Sequence, residues 1–157
     1  MDEEWPEGWP GELVLEGRTH FHLPTNLTEG EANRAGPGVK GEREIFHNHA
    51  MSGNRTRTVL LMAHEMSGGI LSGDKPVRML DSLAASGIRS HRVCHELPSE
   101  MVSRLQLWMC DMNENAISWL KANYKHNPVA EIGKFKPVCG DARQVALSHG
   151  WQWVDID

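Results

Sequence analysis

The stretch that most constrains the fold of this chain runs from Val77 to Arg89. A short apolar run ends in Asp81, and small residues with Gly87 lead into a helix-like sequence. This order predicts a strand, a tight turn and the start of a helix. Backbone N–H groups at a helix start favour a polar or anionic ligand group, and ligands of open α/β sheets bind outside the carboxyl ends of the strands. The stretch therefore predicts a ligand site at the end of the first sheet strand.

The same pattern occurs twice more. An apolar run over residues 105–110 precedes Asp111, and a run over residues 135–139 leads to Asp141. We expect Asp81, Asp111 and Asp141 at one edge of the sheet. An acid at the end of the second strand commonly binds the ribose hydroxyls of an adenosine-type cofactor.

Both later acids have a purely structural alternative. Asp111 followed by Glu114 also fits a helix capping pattern, with the acid at the cap and a glutamate three residues on. Asp141 fits a cap of the next helix equally well.

The turn residues narrow the choice of cofactor. A dinucleotide site needs three glycines after the first strand, whereas here Ala85 precedes the single Gly87. The glycines of residues 68–73 have the spacing of an ATP-binding loop, but Asp74 stands where the lysine belongs. An adenosine cofactor without phosphates remains, and S-adenosylmethionine fits this requirement.

Helical and extended patterns alternate after residue 53. Helices are predicted over 54–67, from Gly87 to about Leu97, from Asp111 to before Pro128, and from Asp141 to about Ser148. Trp153 begins a fourth predicted strand. Strand–helix alternation with right-handed crossovers predicts an α/β fold with a doubly wound parallel sheet.

The N-terminal third has a different character. A small hairpin with Gly17 in its turn is predicted from the alternating apolar residues Leu13, Leu15, Phe21 and Leu23. Residues 24–44 are polar and rich in glycine, which predicts a mobile surface loop. We therefore divide the chain into an N-terminal extension, 1–52, and a partial cofactor-binding domain, 53–157.

The motifs, taken in order, resemble those of the tRNA guanine-26 N2-dimethyltransferase family. The resemblance is carried by residues 81–89, 111–116, 140–142 and 154–157, and upstream by 16–18, 45–48, Met51, Asn54 and Arg55. It implies a Rossmann-like sheet of the class I methyltransferase type, here truncated after the fourth strand. It also implies methyl transfer from S-adenosylmethionine to tRNA.

The resemblance also implies roles for particular residues. The family has arginines near the cofactor that match Arg55 and Arg89, and a guanidinium can hold the methionine carboxylate by two parallel hydrogen bonds. Asp157 would be the catalytic acid, accepting a hydrogen bond from the guanine amine. The implied cofactor-binding set is Arg55, Asp81, Gly87, Arg89, Asp111, Asp141 and Ala142.

The chain departs from the family pattern at Thr56, where the family usually has aspartate, and at His47, where it usually has an aromatic residue. It also stops at Asp157, before the Pro-aromatic-Gly continuation and the family's C-terminal domain. We therefore expect an incomplete form, inactive alone, whose tRNA contacts lie mostly in the missing domain. The alternatives are a methyltransferase acting on protein or a small molecule, and a non-enzymatic fragment.

Composition limits the remaining classes. The formal net charge is −5, which argues against a stand-alone RNA-binding protein. No apolar run approaches the length of a membrane span, and the N-terminus lacks a signal-peptide pattern, so a cytoplasmic location is expected. Cys94, Cys110 and Cys139 have no paired spacing, and the last two fall in predicted buried strands, which indicates reduced core cysteines.

A metal site is not expected. The histidines that invite one alternate along two short segments: His20, His22, His47 and His49. Side chains that alternate on a strand share a face, which invites the metal interpretation. His47-Asn48-His49 also spells the name of a nuclease class, but dispersed residues define that class and this tripeptide does not.

Overall fold

The computed structural model describes residues 5–25 and 45–156. Its strands are β1 (Glu12–Glu16), β2 (Thr19–Leu23), β3 (Val77–Asp81), β4 (Leu105–Asp111), β5 (Lys134–Cys139) and β6 (Trp153–Asp155). Its α-helices are α1 (Ser52–Ser67), α2 (Ile88–Glu96), α3 (Ser99–Val102), α4 (Glu114–His126) and α5 (Ala142–Leu147), and a 3₁₀ turn covers His49–Met51. Residues 26–44 of the predicted loop over 24–44 and the predicted catalytic Asp157 lie outside the described residues.

Four strands form one parallel sheet in the order β5-β4-β3-β6. The chain moves outward from β3 to β5 and then returns to the other side of β3, so the strand order reverses beside β3. In α/β folds, a crevice for ligands opens at such a reversal, outside the carboxyl ends of the strands. The predicted doubly wound α/β sheet is confirmed.

The two faces of the sheet bury different side chains. On one face, Met79, Leu107 and Met109 pack with residues of α1, α2 and α4. On the other face, Leu80, Trp108 and Cys110 pack with α5 and with Trp151. Because strand side chains alternate between faces, the central strands β3 and β4 read as continuous apolar runs that are covered on both sides.

The predicted hairpin is present, but its alternating apolar residues on β1 do not face the core. Phe21 and Leu23 are buried, whereas Leu13 and Leu15 are 57% and 61% exposed. The antiparallel register places Val14 opposite Phe21, so Val14 shares the buried face. A one-residue offset moves every side chain of a strand to the other face, and alternation alone could not choose between the two.

Asn123 of α4 ties the hairpin to the sheet domain. Its side-chain oxygen accepts a hydrogen bond from His22 N at 2.6 Å, and its Nδ2 donates to His22 O at 2.9 Å. Asn123 is 2% exposed, so these bonds form away from water. The side chain thus pairs with the β2 backbone in the manner of a neighbouring strand.

A buried ion-pair network joins the hairpin to α1 and α2. Glu16 accepts two hydrogen bonds from Arg55, at 2.7 and 2.6 Å, and one from Arg92 at 3.1 Å. Arg92 also donates to Glu96 at 2.7 and 3.1 Å. Burial raises the pKa of Glu16, but the bonds and charges of the two arginines outweigh burial and leave that pKa below its usual value.

Two further details concern the edges of the fold. Cys94 and Cys110 are buried and free, but Cys139 is exposed, so the prediction of a buried Cys139 is wrong. The reason is that β5 pairs only with β4 and forms an edge of the described sheet. None of the described helices combines the length and the apolar character that a membrane crossing requires.

Candidate functional site

A cleft of about 240 Å³ opens at the carboxyl end of β3. Its walls come from the segment before α1, from α1, from the β3–α2 turn and from the start of α2. The lining residues are Phe46, His47, Asn48, Met51, Arg55, Asp81, Leu83, Ala84, Ala85, Ser86, Ile88 and Arg89. The volume is below the roughly 300–1,000 Å³ of typical small-molecule pockets, so the cleft suits part of a cofactor-sized ligand.

Three carboxylates lie together at this edge. Asp81 and Asp155 end adjacent strands and are register partners, and Asp111 ends β4. Burial raises the pKa of Asp81 to about 6; the Ser90 hydroxyl, which donates to it at 2.6 Å, opposes this, while the charges of Asp155 and Asp111 add to it. A buried carboxylate whose pKa is raised by burial and by neighbouring like charges is typical of functional sites.

The turn after β3 brings the backbone close to its neighbours. Ala85 has a φ of 44° and Gly87 a φ of 73°, both in the left-handed region. A Cβ on Gly87 would lie 2.8 Å from Leu120 Cγ, so glycine is needed here for packing against α4 as well as for its backbone angle. Helix α2 then begins without a side-chain cap, which leaves N–H groups at its start for another acceptor.

Asp111 supports this turn directly. Its Oδ2 accepts a hydrogen bond from Ala85 N at 2.8 Å, and its Oδ1 accepts one from Asn113 N at 2.9 Å. The alternative interpretation of Asp111 as the cap of the next helix is wrong, because Asn113 caps α4 by accepting from Asn115 N and Ala116 N. The helix starts two residues later than that interpretation required, so Asp111 stays at the strand end.

Asp141 does cap a helix. It accepts from Arg143 N at 2.9 Å at the start of α5, of which Ala142 is the first residue. The Arg143 side chain also donates to both of its oxygens, and these hydrogen bonds lower the pKa of Asp141 to about 2. The capping alternative is thus confirmed for Asp141, while its role in cofactor binding stays a prediction.

Arg55 lines the cleft, but most of its guanidinium donors bind groups outside the cleft. Its Nε and Nη2 atoms each donate a hydrogen bond to the Glu16 carboxylate, and Nη2 also donates to Asn48 O at 2.9 Å. The parallel pair of bonds predicted for a methionine carboxylate is thus occupied by the Glu16 carboxylate. None of the described residues accepts a hydrogen bond from Nη1, so this atom keeps its donors for a ligand.

Arg89 also reaches the cleft from α2. Its Nη1 donates to Asn54 at 2.7 Å and to Thr58 at 2.8 Å, and its Nε lies 3.2 Å from Asp155. Thr58 in turn donates to Asp155 at 3.2 Å. Arg89 therefore connects α1, α2 and the end of β6 around the cleft.

The sequence interpretation missed Asp155 and Glu16 as parts of the site. Asp155 lay in a quoted motif and followed the strand-then-acid rule, which could have identified it. Glu16 also lies in one of the motifs that carry the resemblance and ends β1, but its ion pair with Arg55, 39 residues away, leaves no local signal in the sequence. In the described ranges, 5–25 and 45–156, no group of three or more His, Cys, Asp or Glu residues suits a metal ion.

A parallel sheet whose order reverses beside β3, with acids at the strand ends and an uncapped helix start, defines a Rossmann-like domain of the kind that binds nucleoside cofactors. The family described as N2,N2-dimethylguanosine tRNA methyltransferase matches residues 18–157. The chain belongs to this family, which confirms the resemblance inferred from the motifs.

Individual relatives agree. The chain is 30% identical over 148 residues to a tRNA (guanine(26)-N(2))-dimethyltransferase of Methanoculleus marisnigri, covering 92% of this chain and 32% of the relative. It is 36% identical over 97 residues to the enzyme of that name from Pyrococcus furiosus, covering 60% and 22%. The chain thus spans at most about a third of the length of these relatives.

Solved structures give the same result. Trm1 from Pyrococcus horikoshii, in complex with S-adenosyl-L-methionine, superposes with a TM-score of 0.62 at 27% identity, covering 93% of this chain and 35% of that one. Wild-type Trm5b from Pyrococcus abyssi has a TM-score of 0.53 at 16% identity, covering 84% and 28%, which shows the fold alone.

Proposed function

We propose that this chain is part of an S-adenosylmethionine-dependent methyltransferase that modifies the exocyclic N2 of guanosine at position 26 of tRNA. The observation that carries the proposal is the placement of Asp81, Asp111 and Asp155 at one sheet edge, in a chain whose residues 18–157 match the family. The family match favours this activity over methyl transfer to protein or to a small molecule. A cytoplasmic location remains an expectation.

The residues at the edge fit the nucleoside part of the cofactor. Each oxygen of Asp111 accepts one described backbone N–H and has capacity for another donor, so this carboxylate can accept from ribose hydroxyls while holding the turn. Gly87 keeps the turn compact beside it. Asp141 is engaged by Arg143, whose side chain is 90% exposed and can move aside, and Ala142 offers the start of α5.

The cleft fits the amino-acid part of the cofactor. Arg55 Nη1 is the donor we assign to the methionine carboxylate, with Glu16 holding the rest of the guanidinium in place. Arg89 contributes positive charge and keeps Asp155 beside the cleft. Asp81 lies on the cleft wall and can accept from the cofactor's ammonium group, which would relieve the repulsion among the three acids.

The catalytic role falls to Asp157. The bound cofactor supplies an electrophilic methyl group on sulfur. The guanine amine is a weak nucleophile because its lone pair is delocalised into the ring, and a carboxylate that accepts its hydrogen bond raises its electron density and orients it for in-line attack. The target base must leave the RNA stack to reach such a group.

Replacing Asp111 by asparagine should weaken S-adenosylmethionine binding by roughly 10- to 100-fold, because a charge-assisted hydrogen bond of about 1.5–3 kcal/mol is lost. Asparagine keeps one oxygen acceptor, so the turn suffers less than with alanine. Calorimetric titration measures the affinities. The control is Asp74→Asn, an exposed acid in the turn before β3; equal affinities for Asp111→Asn and this control would contradict the ribose assignment.

The activity is tested by transfer of labelled methyl groups to unmodified tRNA. We expect the present chain to give no transfer, a version extended by the residues after Asp157 in a longer relative to give transfer, and the extended Asp157→Ala version to lose it. Mapping the modified nucleotide identifies guanosine 26. Transfer by the present chain would refute its inactivity, and full activity of the extended Asp157→Ala version would refute the catalytic role.

A further inference from the structure

The hairpin reaches the cofactor cleft through a single carboxylate. Glu16 ends β1, is 6% exposed and is not one of the residues that line the cleft. Its oxygens accept hydrogen bonds from Arg55 of α1 at 2.7 and 2.6 Å and from Arg92 of α2 at 3.1 Å. Arg55 itself does line the cleft. The Arg55 guanidinium is therefore the contact through which the hairpin can act on the cleft.

Helix α2 holds this carboxylate in place. Arg92 donates to Glu16 and also to both oxygens of Glu96, at 2.7 and 3.1 Å. Glu96 in turn accepts a hydrogen bond from the backbone N of Arg18, in the hairpin turn, at 3.2 Å. Gly17 has a φ of 60°, and a Cβ on it would lie 2.7 Å from Arg92 Nη2, so the turn approaches α2 as closely as a glycine allows. The docked hairpin therefore holds Glu16 in a fixed position.

These contacts leave Arg55 with one nitrogen for a ligand. Nε and Nη2 donate to Glu16, and Nη2 also donates to Asn48 O, whereas no described residue accepts a hydrogen bond from Nη1. An arginine side chain without such partners samples many rotamers, and ordering it when a ligand binds lowers the affinity. Because Glu16 already orders Arg55 in the wall of the cleft, this cost is removed from the binding step.

The charges of the network favour an anion at Nη1. Two carboxylates, Glu16 and Glu96, face two guanidinium groups, those of Arg55 and Arg92. Arg92 pairs with both acids, so it takes up part of the Glu16 charge, and Arg55 keeps positive charge for a ligand. A ligand carboxylate at Nη1 would accept a charge-assisted hydrogen bond, which is stronger than a neutral one.

We propose that Glu16 is a positioning residue for the cofactor's carboxylate, which makes the N-terminal hairpin part of the S-adenosylmethionine site. The docked hairpin orders Arg55 through Glu16, and Arg55 Nη1 binds the carboxylate. Because coupling free energies are reciprocal, the bound cofactor in turn stabilises the docked hairpin. The proposal rests on the proposed function for the identity of the ligand. It is the opposite of a competition, in which the Glu16 carboxylate would block Arg55 and its removal would tighten binding.

The test measures how Glu16→Gln changes the binding of two ligands to the present chain. S-adenosylmethionine carries the carboxylate, whereas 5′-methylthioadenosine keeps the nucleoside and lacks the amino-acid part. Calorimetric titration gives both affinities, and melting curves confirm folding. Glu65→Gln is the matched control, because Glu65 is a half-buried glutamate of α1 that accepts from Ile70 N at 2.9 Å and does not line the cleft.

We expect Glu16→Gln to bind S-adenosylmethionine about 3- to 10-fold more weakly, as the ordering of one long side chain on binding implies, and to bind 5′-methylthioadenosine as the parent chain does. Glu65→Gln should leave both affinities unchanged. Tighter binding of S-adenosylmethionine by Glu16→Gln, or equal losses for the two ligands, would overturn the proposal. If the parent chain binds neither ligand, the proposed function fails as well. If the parent chain and Glu16→Gln bind S-adenosylmethionine equally well, this proposal alone fails.

Hydrogen exchange on the unsubstituted chain tests the same coupling without a variant. At equal occupancy, S-adenosylmethionine should slow exchange of the hairpin amides, including that of Arg18, roughly threefold more than 5′-methylthioadenosine does. The amides of β4 should be slowed equally by the two ligands. Equal slowing of the hairpin by both ligands would overturn the coupling even if Glu16→Gln does not fold.

Discussion

The Asp81→Asn variant should be about 2–3 kcal/mol more stable than the parent chain at pH 7 and should also bind S-adenosylmethionine more weakly. Burial and the charges of Asp155 and Asp111 raise the pKa of Asp81 to about 6, from 3.8 for an ordinary aspartate. Each unit of such a shift corresponds to about 1.4 kcal/mol. Asparagine carries no charge and can still accept a hydrogen bond from Ser90. The variant therefore avoids the free-energy cost of a buried, ionised carboxylate.

The pH dependence follows from the sign of the shift. Because the folded state binds the Asp81 proton more tightly than the unfolded state, the stabilisation from protonation is complete below about pH 4 and is lost as the pH rises to about 6. The advantage of Asp81→Asn should therefore appear over that interval and be absent below it.

Protonation of His91 has the opposite effect on the stability of the fold. It is 1% exposed, and burial with the nearby charge of His95 lowers the pKa of His91 to about 4, so acidification from pH 6.5 to 4 destabilises the fold. In the parent chain, Asp81 offsets part of this loss. Asp81→Asn should thus lose stability more steeply on acidification.

Urea unfolding from pH 4 to 8 measures the stability of the variant, and calorimetric titration measures its cofactor affinity. Asp74→Asn is the matched control, since it removes an exposed carboxylate outside the site. Equal stability of the parent chain and Asp81→Asn at pH 7 would contradict the raised pKa assigned to Asp81. Unchanged affinity would remove Asp81 from the cofactor site.

Arg92→Met should lower the free energy of unfolding by about 3 kcal/mol. Arg92 is 2% exposed and donates to Glu16, Glu96 and Thr56, so its removal leaves carboxylates with fewer partners in a buried place. Breaking a buried pair typically costs about 3–5 kcal/mol, and the low end applies because Glu96 retains 11% exposure. For a chain of this length we expect a melting temperature roughly 6–12 °C lower.

The matched control is Arg143→Met, which makes the same substitution in an ion pair whose arginine is 90% exposed. Its melting temperature should stay close to that of the parent chain. The double variant Arg92→Met/Glu96→Met should lose less stability than the sum of the two single variants, because no unpaired carboxylate remains at position 96. Equal melting temperatures for Arg92→Met and Arg143→Met would show that the network contributes little.

Local patterns predicted most of the fold. The apolar runs before Asp81 and Asp111 correctly indicated β3 and β4, because strands covered on both faces have no polar alternation to obscure them. The face of the hairpin could not be predicted, since Leu13 and Val14 are both apolar and only packing against Ile88 decides which is buried. The exposure of Cys139 depends on sheet order, which a single strand does not encode.

The position of an acid could be predicted where the acid ends a strand, as Asp81 and Asp111 do. Asp111 sits at the strand end as expected, and only the position of the cap, Asn113 two residues later, distinguished it from a capping acid. The occupation of the Arg55 fork by Glu16 could not be predicted, because a charge pair formed in the folded state leaves no local trace in the sequence. The same holds for Arg89, whose partners come from α1 and β6.

The Asn123 contact with His22 has a consequence for synthesis on the ribosome. The two residues are 101 positions apart, and the hairpin leaves the ribosome first. At about 5–20 residues per second, the hairpin waits roughly 5–20 s for the helix that holds it. A lone hairpin is marginal in water, so Phe21 and Leu23 remain open to chaperones throughout that interval. The hairpin is thus made well before the helix that secures it.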